Sequence, residues 1–238
     1  MKLVKTGIVF LLAIMGFCGV QAQTADEIVN KYVEAMGGKA KLDQIKSAYI
    51  TGTTQMMGNG AQSKTSILEG KGFRLEYEAN GQKVIQVFTD KGGWQINPMM
   101  GSTTPQPLPD EMYKGSRGQI FITGPLYNYA AKGNKVELVG KEGNDYKLKI
   151  TNTDSVETTV YLDGTTYYLT KLTRTANFMG QAMEMTIKFS EFKKTDFGVV
   201  FPYVTEINIG GQFTITNTLD KIELNKPIDP AIFEMPKS

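Results

Sequence analysis

The chain has no histidine and a single cysteine, Cys18, which lies in its opening stretch. Without imidazole, a Ser–His–Asp or Cys–His hydrolase cannot be built in its usual form. Zinc sites of the His/Cys type are excluded for the same reason. The phosphate-cradling glycine patterns, Gly-x-x-x-x-Gly-Lys and Gly-x-Gly-x-x-Gly after a strand, are absent too. So is the Asp-x-Asp/Asn spacing of a calcium loop. Charge of either sign is scarce in excess: 26 Lys and Arg stand against 24 Asp and Glu. Nucleic acids and anionic membrane surfaces call for a clustered positive excess, and no basic run occurs. Neither partner is expected, and no metal, cofactor or catalytic residue is assigned. The chain reads as a non-enzyme.

What is present begins with a leader. Lys2 and Lys5 precede an apolar run, Gly7 to Val20, and Val20-Gln21-Ala22 supplies small residues for cleavage. The run falls short of the ~20 residues that a membrane span needs. Residues 1–22 are therefore expected to be a cleaved signal peptide, with residues 23–238 as a single domain. Lipidation at Cys18 is the rival, disfavoured by the bulky Phe17 before it. Loss of Lys2 and Lys5 takes the formal charge from +2 to zero. The remainder carries no cysteine, so disulfides cannot stabilise it and burial must.

The stretch "TADEIVNKYVEAMGG" reads as a helix. Thr24 and Glu27 have capping-box spacing. Ile28, Val29, Tyr32, Val33 and Met36 form one apolar stripe, and Gly37-Gly38 ends it. "KAKLDQIKS" reads as a second short helix. From Ser47 the period changes from about 3.6 to 2. Asn80-Gly81, Asp163-Gly164 and Gly210-Gly211 sit between alternating runs as hairpin turns. Short turns make sequence neighbours antiparallel. The expected fold is α+β and mainly β: one curved antiparallel sheet with an N-terminal helix. A middle insertion interrupts it, "PQPLPDEMYKGSRG" with a short helix near Asp110 to Lys114, then the apolar "FITGPLYNYAAKGN".

A helix too short to cover such a sheet leaves part of one face open, and a cavity is expected there. Trp94, Ile96, Met99 and Met100, in the glycine-bounded "GGWQINPMMG", read either as core or as the mouth of that cavity. Methionine suits a surface that meets variable apolar shapes. Met183 and Met185 extend the lining, as do Phe73 and Leu75 from the alternating "FRLEY" strand. Met56-Met57 forms a further rim. Arg74, Arg117 and Asn97 are candidate polar contacts. Phe121, Tyr127 and Tyr129 form a flap or plug one end of the sheet.

Several segments together resemble the periplasmic outer-membrane lipoprotein-sorting proteins, the LolA/LolB-type carriers of Gram-negative bacteria. They are "EAMGG" leading into "KLDQIKSAYITG", "TDKGGWQINP", "LYNYAAKGNKVELVGKE", "FGVVFP" and "DPAIFEMP". The carriers' early Arg-Pro pair is replaced by "EGKGFRLEY", as in a divergent branch. The resemblance implies an incomplete, half-open β-barrel around the helix with a lid insertion. It implies an apolar cavity, bordered by Trp94 and the Asn97-Pro98 corner, that receives acyl chains of a lipid or acylated lipoprotein. It also implies a periplasmic location. Two alternatives stand beside this reading: an envelope protein-interaction module with a plugged cavity, and a histidine-free hydrolase built on two carboxylates.

Overall fold

The computed structural model describes residues 23–56, 58–178 and 181–236. The expected leader and Met57 lie outside those residues. Helix α1 (Ala25–Ala35) starts as the sequence predicts: Thr24 Oγ1 accepts from Glu27 N at 3.2 Å, and Glu27 Oε2 accepts from Thr24 N at 3.1 Å. Helix α2 (Lys39–Leu42) is shorter than expected, because β1 (Ser47–Met56) begins soon after it.

The strands that follow are β2 (Asn59–Leu68), β3 (Gly72–Ala79), β4 (Gln82–Thr89), β5 (Gly93–Asn97) and β6 (Ser102–Pro107). Helix α3 (Asp110–Ser116) opens the insertion. After it come β7 (Lys135–Glu142), β8 (Asp145–Thr151), β9 (Glu157–Leu162), β10 (Leu169–Phe178), β11 (Gln181–Lys194), β12 (Val200–Ile209) and β13 (Phe213–Leu224). All belong to one antiparallel sheet in the order β6-β5-β4-β3-β2-β1-β13-β12-β11-β10-β9-β8-β7. The first and last strands lie side by side in its middle. Its two edges, β6 and β7, are sequence neighbours joined by the insertion, and among the described residues no ladder closes them into a barrel.

Antiparallel partners share a face, so the register assigns each side chain to one of two sides. The side carrying the helices, the inner face, holds two cores. In the first, Ile28, Val29, Tyr32 and Val33 of α1 meet Leu148 and Ile150 of β8, Val160 and Leu162 of β9, and Leu126 and Tyr127 of the insertion. In the second, Ala48, Ile67, Phe73 and Phe88 meet Leu108 and Ile120, with Met112 and Tyr113 of α3 packed against them. Each fully buried Leu, Ile or Phe contributes roughly 1.5–3 kcal/mol, so these contacts fix where the helices sit.

A third core lies on the outer face. Ile85, Val87 and Trp94 are covered by Phe233, in a 3-10 turn (Pro230–Phe233) of the C-terminal segment. Gly72 is required there: a Cβ on it would lie 2.6 Å from the Phe233 ring. Among the described residues no helix is long and apolar enough to cross a membrane.

Candidate functional site

The register draws one inward row across most of the sheet. It runs Leu138–Leu148–Val160–Leu172 through β7 to β10. It continues Ile187–Ile207–Ile215–Met56 through β11, β12, β13 and β1. The two halves differ in cover. Leu148 and Val160 are fully buried under α1. Ile187, Ile207, Ile215 and Met56 are half-buried and belong to none of the three cores. The adjacent row, Met185–Ile209–Phe213, is likewise half-buried. On β3, Leu75 packs against the second core and Tyr77 lies beyond it on the same face, where burial raises the Tyr77 pKa. The result is a half-buried apolar surface on the inner face that belongs to none of the three cores. On the opposite face, Gln55, Thr214 and Thr216, with Met56, Gly58 and Gln212 beside them, line a shallow recess between two hairpin tips.

The insertion closes the other end. Glu69 accepts from Ile122 N at 2.6 Å and from Thr123 Oγ1 at 3.1 Å. Lys132 Nζ donates to Thr123 Oγ1 at 2.9 Å and to Gly124 O at 2.8 Å. It also sits 4.5 Å from the centre of the Phe121 ring. Burial lowers the Lys132 pKa to about 8, although Glu69 opposes the shift. Helix α3 bridges the sheet from several sides. Tyr113 OH donates to Thr89 O of β4 (3.0 Å), Asn177 of β10 donates to Glu111 (3.2 Å), and Arg117 pairs with Asp154 (2.9 Å).

The sequence-derived candidates separate into groups. Met183 and Met185 take inward positions, opposite Ala176 and Arg174 of β10. Phe73 is buried in the second core, and Leu75 and Phe121 are both half-buried against it. Trp94 and Ile96 require correction. They face outward with Val87 and Ile85, their ladder partners. Trp94 is 4% exposed, and its Nε1 donates to Phe233 O at 2.9 Å. The reason is that the C-terminal segment gives the outer face of β4 and β5 a core of its own, which takes up the apolar side of β5. Arg74 is corrected with them. It too faces outward, pairing with Glu76, donating to Ile232 O at 2.7 Å and lying 5.5 Å from the Trp94 ring centre.

Met99 and Met100 are in a 3-10 turn (Pro98–Met100) after β5, with Met99 45% exposed. Asn97, at the end of β5, has a buried Oδ1 without a hydrogen-bond partner among the described residues. Tyr127 and Tyr129 tie the insertion to the helical layer through Asp43 and Asp26. Asp110 and Glu111 lie exposed in the first turn of α3. Among the described residues no three His, Cys, Asp or Glu side chains converge in a metal-holding group.

Sequence reasoning passed over Arg174. Its alternation signal was available: in "LTKLTRTANF" it shares the parity of the inward Leu172. It also passed over Ile187, Ile207 and Ile215, which read as ordinary strand residues until the ladder shows what lies above them.

The sequence matches no family model and no curated protein. Solved structures do match in fold. A LolA-superfamily protein from Nitrosomonas europaea is 12% identical with a TM-score of 0.59, over 90% of this chain and 98% of its own. An outer-membrane lipoprotein-sorting protein domain from Vibrio parahaemolyticus is 12% identical with a TM-score of 0.60, over 88% and 97%. A DUF1329-family protein from Desulfovibrio piger is 13% identical with a TM-score of 0.59, over 88% and 97%. The protein therefore has the LolA-like incomplete-barrel fold.

Proposed function

We propose that the protein is a carrier that holds acyl chains of a lipid or acylated lipoprotein on the uncovered part of its inner face. The observation behind this is the row Ile187–Ile207–Ile215–Met56, apolar and half-buried on the side where a helix covers its continuation. An exposed apolar surface of this kind marks an interaction site. Each methylene buried there contributes about 0.8 kcal/mol, so a few acyl chains give useful affinity without a covalent bond. The fold shared with lipoprotein-sorting proteins supports the same reading. The leader-like opening supports export to the periplasm.

The test places a charge in the row. Mature protein is incubated with a triacylated lipopeptide and complexes are counted by native mass spectrometry. Ile207→Asp should weaken binding by on the order of tenfold or more, because an acyl chain would then desolvate a carboxylate. The outward Glu206→Ala should bind as the wild type does. If Ile207→Asp also binds normally, the row is not the site.

A second reading rests on the filled portion of the same face. With α1 and α3 each packed into a core on this face, the remaining apolar row could receive a side of a partner protein instead. Wild-type protein that takes up no lipid but captures an envelope protein through Ile207 would favour that reading.

A further inference from the structure

The chain has three arginines. Two have acid partners: Arg74 with Glu76, and Arg117 with Asp154. Arg174 has none. Among the described residues no hydrogen bond or ion pair reaches its guanidinium, although it is only half exposed. It stands on β10 at an inward position, and its ladder row continues through Met185, Ile209 and Phe213. Above it lies α3, where a Cβ added to Gly115 would collide with the guanidinium. A cation so placed is costly, because burial removes water and no carboxylate replaces it. That cost lowers the Arg174 pKa from its ordinary value. The α3 acid Glu111 accepts from Asn177 instead.

We propose that Arg174 receives the carboxylate of a long-chain fatty acid whose chain lies along the uncovered apolar row. This rests on the reading that the row binds acyl chains, and it adds the chemistry of the head group. One guanidinium matches one negative charge, and its planar fork fits a carboxylate in a bidentate pair. The neighbouring strand lysines do not supply a second cation. Lys171 and Lys188 have outward parity and pair with Glu142 (3.4 Å) and Glu206 (3.8 Å).

The experiment compares oleate with oleyl alcohol, two ligands of one chain length, by calorimetry on wild type, Arg174→Gln and Arg174→Lys. Wild type should bind oleate about tenfold more tightly than the alcohol, the size expected of a charge-assisted pair. Arg174→Gln should bind both alike, and Arg174→Lys should recover part of the preference. Equal binding of the two ligands by wild type overturns the proposal and leaves the carrier reading standing. So does a preference that survives in Arg174→Gln. Binding of neither ligand removes both. Thermal melts show whether Arg174→Gln folds; if it does not, the wild-type preference and its reduction in Arg174→Lys decide the matter.

Discussion

The two halves of the inner face carry similar side chains and live under different conditions. Leu148 and Val160 lie beneath α1 with no exposed surface, while Ile207 and Ile215 continue the same row without a cover. Composition along the row does not change. What changes is the length of α1, whose 11 residues end before the sheet does. An element's reach, rather than the hydrophobicity beneath it, decides which apolar positions become core and which become a binding surface.

Deleting side chains on the two sides is the sharpest way to break this comparison. Leu148→Ala should lower unfolding free energy by about 3–5 kcal/mol, since it opens a cavity in a closed core. Ile207→Ala should cost less than about 1.5 kcal/mol, because its neighbourhood is already open to solvent. Urea titrations of both variants check this. Equal costs would mean that the row is packed in solution and that no surface is available.

A smaller effect concerns the insertion that seals the filled half. Lys132 has its pKa lowered to about 8 from 10.5, chiefly by burial. Between those values the unfolded chain retains the proton that the folded chain has lost, so stability due to this group rises with pH across the window. Below pH 8 both states are charged, and the folded state bears the full desolvation penalty. The stability of wild type relative to Lys132→Met should therefore increase from pH 8 to 10.5, measured by urea unfolding at each pH. A flat difference would show that Lys132 is solvated and the seal is looser than the structure has it.

The smallest expected effect is none. Trp94 emission should be blue-shifted in the free protein and should stay within experimental error on adding the lipopeptide, because the ring is sealed by Phe233 on the far face. A saturable shift would place ligand on the outer face and invert the comparison.

Much of the architecture was legible in the chain. The capping box of α1 and the turns at Asn80-Gly81 and Gly210-Gly211 each rest on local chemistry and occur where read, whereas Asp163-Gly164 opens a longer connection that runs to Tyr168 before β10 begins. The inward parity of Met183 and Met185 followed from alternation within one strand. Which apolar face is inside did not. Alternation says that Trp94 and Gln95 point oppositely, but only the distant Phe233 determines that the Trp94 side is covered from without. The same limit hid Arg174: a charged residue in a strand reads as solvated until α3, about 60 residues earlier, is found above it.

The two chain ends are crossed. Helix α1, at the front, covers strands β8 to β10 of the later half, whereas the final 3-10 turn clasps β3 to β5 of the earlier half. On a chain emerging N-terminus first, α1 waits for some 120 residues before its strand partners exist, and β3 to β5 wait for the last segment to seal their outer face. Assembly is thus governed by contacts of long sequence separation, which form slowly and leave apolar surface uncovered meanwhile. Removing α1 would uncover strands of the later half, and removing the final 3-10 turn would open the outer core of the earlier half.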